Sequence, residues 1–356
     1  MHVDVKLPKP ETIGGDRLRT LATAGVEAER DGYDALWSAE STGDPFLALM
    51  PALQATERLQ VGTAIALAFA RNPMSLAYSA HDLQLLSQGR FLLGLGSQVK
   101  PHIERRFGMP WSKPAARMLE FIRALRAIWE CWNTGEKLDF RGEFYSHTLM
   151  TPFFTPEPSP WGPPKVFLAA VGDKMTEVAG TVCDGLLPHP FTTERYLREQ
   201  TLPVVRRGLV AAGRPIADFS INLSGMVVTG RTEEEMAVAR EGVRRQIAFY
   251  GSTPTYRPVL DIHGWTELGV ELTAMSKSED PDRWKQMRDL VDDEVLDAFA
   301  IIAEPNRLGA AIEARFGDVV DRFSFYAPYE HDPAIWLPAV EHLTAANARA
   351  HSPIDS

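Results

Sequence analysis

The 356 residues include 47 acidic and 37 basic side chains, giving a formal net charge of −10 at pH 7, and 45% are hydrophobic. This composition is typical of a globular protein with a large core, and the acidic balance argues against nucleic-acid binding while leaving room for a local basic pocket that holds a phosphate. No apolar run reaches the roughly 18 residues of a membrane span, the N-terminus does not resemble an export signal, and only two cysteines occur, so we expect a cytoplasmic protein without a membrane partner.

Short apolar strands alternate with amphipathic helices along the chain. The predicted strands are 3–7, 35–38, 59–65, 91–95, 166–170, 185–188, 220–228 and 322–326. The predicted helices are 18–30, 45–55, 73–87, 114–132, 174–182, 194–212, 233–250, 306–316 and 334–350. Repeated βα units with buried strands predict a parallel sheet flanked by helices, and about eight strands favour a closed TIM barrel over an open sheet. We therefore predict an α/β fold, a parallel eight-stranded barrel in a single domain over residues 1–356.

Two insertions interrupt this alternation. The first, about 133–164, ends in a proline-rich stretch that predicts an extended covering loop. The second, about 251–290, is rich in aromatic residues, among them Tyr256 and Trp265. A long insertion on a barrel is usually a lid over the active site or a dimer surface, and the sequence leaves both open.

In such a barrel the chemistry lies in the loops that follow the strands. After the second strand, Glu40 is a candidate acid, base or ring-orienting group, and helix capping is the plainer alternative. After the third strand, the small residues around Ala64 and Ile65 permit a bulge against a flat ligand, although the residues alone favour ordinary barrel packing.

After the fourth strand, a Gly-x-Gly pair is followed by Ser97 and Gln98, and then by the acid–base candidates His102 and Glu104. Gly-x-Gly alone is a weak signal, and a surface histidine and an ion-paired glutamate are the plainer interpretations. After the fifth strand, the segment 171–174 enters a helix, where backbone N–H groups bind phosphate or Asp173 caps the helix.

His189 follows the sixth strand and either lines the pocket or has a structural role. Hydrolase, phosphate-loop and metal motifs are missing, and the histidines do not have metal-ligand spacing, so we expect no metal.

Taken in order, several segments resemble the bacterial-luciferase-like superfamily and, within it, the F420-dependent oxidoreductases. The resemblance lies in 28–37, 71–73, 87–96, Glu104, 107–108, 169–172, 179–180 and 184–185, with an aromatic stretch at 247–254 that looks like one F420-dependent subgroup. Each motif is weak alone, and their order and spacing carry the resemblance. It covers residues 1 to about 190 best.

The resemblance implies the cofactor site. Relatives keep a non-prolyl cis peptide behind the deazaflavin ring, which would be Ala64–Ile65 here, with Ser97 and Gln98 nearby. The cofactor phosphate would rest on Val171, Gly172, Asp173 and Lys174. Glu40 and Glu104 match acids beside the reacting ring, with His102 a further candidate. A homodimer is also common among relatives.

One departure concerns proton transfer. F420-dependent sugar-phosphate dehydrogenases have a histidine at the position of Ser41, so alcohol oxidation cannot be transferred to this chain. The resemblance predicts hydride transfer between F420 and a small organic substrate, in a pocket covered by Phe69, Trp111, Tyr256 or Trp265. An FMN-dependent two-component monooxygenase and a non-catalytic flavin- or deazaflavin-binding protein are the alternatives.

Overall fold

The computed structural model describes residues 1–7 and 16–351, and the side chains among them up to residue 347. The strands in chain order are β1 His2–Lys6, β2 Ala35–Ser38, β3 Gln60–Thr63, β4 Ala66–Leu67, β5 Phe91–Gly96, β6 Phe140–Arg141, β7 Ser146–His147, β8 Lys165–Ala170, β9 Gly185–Pro188, β10 Ser220–Val228, β11 Ala300–Ile302 and β12 Arg322–Tyr326.

The α-helices follow the strands as predicted in most places. They are α1 Arg17–Arg30, α2 Pro45–Ala55, α3 Pro73–Leu86, α4 Lys100–Arg105, α5 Pro114–Thr134, α6 Asp173–Val182, α7 Glu194–Tyr196, α8 Leu202–Ala211, α9 Glu233–Gly251, α10 Arg257–Asp261, α11 Thr266–Met275, α12 Arg283–Asp289, α13 Asp293–Phe299, α14 Pro305–Phe316 and α15 Leu337–His351. A π-helical turn, Leu197–Thr201, joins α7 to α8.

Two compact units make up the chain. The N-terminal unit comprises Val5–Leu187 and Val204–Ser220, and the C-terminal unit comprises Met1–Asp4, Pro188–Pro203 and Ile221–Ser356. Each has its own part of the parallel sheet.

The N-terminal unit carries the parallel strands in the order β2, β3, β5, β8 and β9, and β4 also pairs with β5. These strands are covered on both faces, so they are continuously apolar instead of alternating, and every residue of β5 is buried. The longest helix, α5, begins with Pro114 in its first turn and ends at Gly135, whose φ of 75° suits a glycine.

In the C-terminal unit β10 lies between β11 and β12, and β12 pairs with the start of β1, all in parallel. Leu223 and Val3 both pair with Phe323 in register. A cluster of buried side chains packs α9 against the helices of the second insertion. It includes Val243 of α9 and Leu260 of α10.

Several local features were not predicted. The three-residue β11 is too short to produce a periodic pattern, and the second insertion is largely helical, with α10 to α12. Within the first insertion, β6 and β7 form an antiparallel hairpin. The Glu120 carboxylate holds the turn of this hairpin, accepting the backbone N–H groups of Glu143, Phe144 and Tyr145.

Candidate active site

The segment after β3 is fixed to the strands on either side of it. The peptide bond between Ala64 and Ile65 is cis, which confirms the bond that the resemblance implied. The Ala64 N–H donates to the Ser38 carbonyl (2.8 Å), and the Ile65 carbonyl accepts from the Glu40 N–H (3.0 Å). Ala64 and Ile65 are half-buried in a segment that is otherwise largely buried, so this short stretch offers a surface to a ligand.

The glycines of β5 lie close to the segment after β3, and at Gly94 the contact is with backbone. A Cβ at Gly94 would lie 1.8 Å from the Thr63 carbonyl oxygen, and one at Gly96 would lie 2.0 Å from Ile65 Cδ1. The fully buried Thr63 hydroxyl donates to the Gly94 carbonyl (2.7 Å) and accepts from the Gly94 N–H (3.0 Å). The Gly-x-Gly pair therefore permits close packing of β5 against the cis segment, which the sequence alone did not reveal.

The Glu40 side chain forms an ion pair next to the cis segment. Its side chain is 9% exposed, pairs with the Arg71 guanidinium and accepts from the Leu67 N–H (2.8 Å). Arg71 also contacts Asp44 (3.2 Å), and Asp44, not Glu40, caps helix α2 through the N–H groups of Phe46 and Leu47. The structure thus makes Glu40 a buried acceptor next to the candidate cofactor surface.

The other candidates after β5 are more accessible. Gln98 has a φ of 59° and accepts from the Val99 N–H (2.9 Å), while the Ser97 hydroxyl donates to the Gln98 carbonyl (3.0 Å). His102 and Glu104 lie exposed on the short helix α4. Glu104 is 40% exposed and lies 3.8 Å from the Lys100 ammonium, a surface pair of small energetic value.

A cavity of about 680 Å³ lies beside the start of α6, lined by Lys113, Pro114, Ala115, Ala116, Gly172, Asp173, Lys174 and Met175. Two helices begin at this cavity, α5 after Lys113 and α6 after Gly172, and neither receives a side-chain cap. The first N–H groups of a helix have no partner within it, so a helix start attracts anions. The sequence predicted the Gly172 side of this cavity but missed the Lys113 side.

The residues that were predicted to cover the pocket have different surroundings in the structure. Phe69 is fully buried and packs edge-on against Trp111 at a ring separation of 5.6 Å, with the Arg117 guanidinium 4.9 Å from its centre. The expectation that Phe69 covers a substrate is wrong, because it belongs to the core. In the C-terminal unit, Trp265 stacks on His263 at 4.4 Å.

Comparison with known proteins gives the family context. Residues 2–322 match the family model described as luciferase-like monooxygenase. An uncharacterised protein of Mycobacterium tuberculosis is 51% identical over 307 residues, 86% of this chain and 89% of that protein. An F420-dependent glucose-6-phosphate dehydrogenase of Rhodococcus erythropolis is 26% identical over 348 residues, 93% of this chain and 94% of that enzyme.

Among solved structures, the coenzyme F420-dependent tetrahydromethanopterin reductase from Methanopyrus kandleri matches with a TM-score of 0.71 at 18% identity, over 96% of each chain. This likeness confirms the predicted fold, a parallel eight-stranded β/α barrel. No helix among residues 1–7 and 16–351 has both the length and the apolar character of a membrane span.

Proposed function

The chain belongs to the luciferase-like monooxygenase family, and we propose that it is an F420-dependent oxidoreductase that transfers a hydride between the deazaflavin and a small organic substrate. The observation that carries this proposal is the cavity at the starts of α5 and α6, which we take as the place of the cofactor phosphate. The resemblance of the sequence and the F420-dependent relative both support it.

Two helix starts and two lysines at the cavity favour a phosphate. The backbone N–H groups of the cavity come from two helix starts, and the dipole of each helix favours negative charge there. Lys113 and Lys174 add cationic side chains, although the Lys113 ammonium also pairs with Glu143 (2.6 Å). Gly172 has open space where a Cβ would lie, so its backbone is accessible to a ligand. Val171 precedes this surface, and we include it in the proposed site.

The flat part of the cofactor would rest on Ala64 and Ile65, with Ser97 and Gln98 beside them. When bound, the deazaflavin supplies hydride chemistry, while the protein places and orients the reactants. Glu40 holds the chain after the cis peptide through the Leu67 N–H, and we propose that its carboxylate also orients the ring. We propose His102 and Glu104, which are exposed on α4, as the acid–base groups.

A pair of substitutions at Gly172 tests the phosphate site. Aspartate is a favoured N-cap residue, so Gly172→Asp should keep or raise the thermal stability while its charge repels phosphate. We expect the dissociation constant of F420 to rise at least tenfold. Gly172→Ala is the matched control, because nothing lies within 4 Å of the added Cβ, and it should keep affinity within about threefold. Equal affinity in all three proteins would place the phosphate elsewhere.

The FMN-dependent monooxygenase is the second candidate, since the description of the family model names a monooxygenase. Reduced FMN reoxidises quickly in air, whereas reduced F420 does not. Loading the protein with each reduced cofactor and following absorbance in air therefore separates the two. A protein that binds F420 but reduces no aldehyde, enone or ketone would be the non-catalytic binder instead.

A further inference from the structure

A second cavity, of about 440 Å³, lies within the C-terminal unit and has no role in the cofactor site described above. It is lined on one side by residues within 229–238, which follow β10 and begin α9, and on the other by residues within 329–335, which follow β12. Small-molecule sites in proteins have volumes of roughly 300–1,000 Å³, so this cavity has the size of a small-ligand site.

The hydroxyl of Thr229 is an unused polar group in the lining of this cavity. Thr229 is 1% exposed, and its Oγ1 has no hydrogen-bond partner among the described residues. The Tyr329 hydroxyl is already engaged, because it donates to the Val227 carbonyl (3.1 Å) and accepts from the Thr229 N–H (3.2 Å). A buried hydroxyl without a partner costs free energy, which a valine of the same shape would avoid. A ligand that hydrogen-bonds to Thr229 would supply the missing partner.

Most of the charged groups around the cavity are engaged with one another. Arg231 pairs with Asp332 (2.9 Å), and the Glu235 carboxylate accepts the backbone N–H of Arg231 (2.5 Å). Glu234 and Glu330 also line the cavity, and neither side chain forms an ion pair or a hydrogen bond with another described residue. Two carboxylates are therefore left for a ligand.

The sign of these charges selects the class of ligand. Four carboxylates line the cavity against the single guanidinium of Arg231, and a proton on His331 would still leave the balance negative. The start of α9 adds only about half a positive charge, and the Thr232 side chain already accepts the Glu235 N–H there. An anion would be repelled, whereas an ammonium ion would meet Glu234 and Glu330. The cavity beside α6 differs, since it has two lysines and two helix starts without side-chain caps.

We propose that this second cavity binds a small amino alcohol. Glu234 and Glu330 would hold its ammonium group, whose three N–H donors match carboxylate acceptors. The alkyl chain would contact Val238 and Ile335, which also line the cavity. The hydroxyl at the other end of the ligand would bond to Thr229, since a hydroxyl both donates and accepts. The site lies in one compact unit and needs no cofactor, so it is independent of the proposed hydride transfer.

Pentanolamine, a five-carbon chain with an amine at one end and a hydroxyl at the other, is the probe. In ligand-observed NMR titrations of the full chain without cofactor, we expect saturable binding with a dissociation constant of about 1 mM or lower. We expect no binding of ω-hydroxypentanoate, which carries a negative charge instead. Glu234→Gln combined with Glu330→Gln should weaken pentanolamine binding at least tenfold. Glu233→Gln is the matched control, because Glu233 is exposed on the same turn of α9 and does not line the cavity.

The hydroxyl contact is tested with two ligands. Thr229→Val should weaken pentanolamine binding about fivefold, as for loss of one neutral hydrogen bond, and should leave the affinity for pentylamine unchanged. Thr192→Val is the control, since Thr192 also has a buried hydroxyl without a partner among the described residues but does not line the cavity. Thermal unfolding of each variant verifies that it is folded.

Several results would overturn the proposal. They are a wild type that does not bind pentanolamine, equal binding of ω-hydroxypentanoate, and an equal loss of affinity in Glu233→Gln and in the double variant. If Thr229→Val changed the affinity for neither amine, or for both alike, the Thr229 hydroxyl would bind no more than an ordered water and the amino-alcohol assignment would be wrong.

Discussion

The Thr63 hydroxyl and the Gly94 backbone exchange two hydrogen bonds, of 2.7 and 3.0 Å, inside the core. They join the end of β3, just before the cis peptide, to β5. Because Gly94 has no side chain, the two strands approach closely enough for this exchange. The candidate cofactor surface at Ala64 and Ile65 is therefore supported by a buried polar contact next to it.

Replacing Thr63 with valine should destabilise the protein by about 1–3 kcal/mol, because the shape is kept but two buried backbone groups lose their partner. Thr229 offers a matched comparison. Its hydroxyl is buried and has no hydrogen-bond partner among the described residues, so Thr229→Val should be neutral or stabilising by about 1 kcal/mol. Urea unfolding of both variants measures the difference, and equal changes would contradict this account of the Thr63 contact.

The ion pair of Asp4 and Arg322 lies in the core of the C-terminal unit, with distances of 2.7 and 2.8 Å and exposures of 0% and 6%. Asn222 also donates to Asp4 (3.3 Å). Asp4→Ala should lower the free energy of unfolding by about 3–5 kcal/mol, since it leaves a buried guanidinium without its carboxylate.

An exposed pair gives the control for Asp4. Asp139 and Arg141 are 2.8 Å apart with side chains 51% and 71% exposed, so Asp139→Ala should cost less than about 1 kcal/mol. Denaturant titrations under the same conditions compare the two variants. A loss at Asp4 as small as that at Asp139 would mean that the buried pair contributes no more than a surface pair.

Acidic pH should loosen the second insertion. Burial lowers the pKa of His263, with the nearby Arg195 cation adding to the effect, so the folded state favours the neutral imidazole. The unfolded chain then binds the proton more readily, and this contribution to stability is retained above about pH 6.5 and lost as the pH falls below it. The hydrogen-exchange protection factors of α10 and α11, corrected for the intrinsic exchange rate at each pH, should fall between pH 7 and pH 5, and less so in His263→Gln. The same fall in both proteins would assign it to another group.

Exposed apolar residues of the first insertion favour a dimer surface. Leu149, Phe153 and Phe154 are 77%, 88% and 62% exposed, and the Tyr78 hydroxyl of α3 donates to the Phe154 carbonyl (2.6 Å). We propose a homodimer formed through this face, since exposed apolar surface marks interaction sites. Phe153→Ser should raise the dimer dissociation constant at least tenfold in sedimentation experiments. Val210→Ser, on the exposed side of α8, is the control and should have no effect; a monomeric wild type would refute the surface.

The sequence predicted the parts of the fold whose signals are local. The strands β10 and β12 have the predicted bounds, because runs of apolar and β-branched residues identify buried strands. The short helices α10 and α12 escaped prediction, since five and seven residues are too few for a helical period to appear.

The candidate site was predictable only in part for the same reason. Gly172 was identified from its place between a strand and a helix, and the cis peptide from a resemblance. Lys113 meets Gly172 only in the folded protein, at the cavity that both residues line. Such pairings depend on tertiary structure, which no local pattern encodes.

The most direct test of the cofactor assignment is a titration of the purified protein with oxidised F420 and, separately, with FMN, followed by tryptophan fluorescence. We predict saturable quenching by F420 with a dissociation constant in the micromolar range and at least tenfold weaker binding of FMN. Tighter binding of FMN, or no binding of either, would contradict the assignment of this chain as an F420-dependent oxidoreductase.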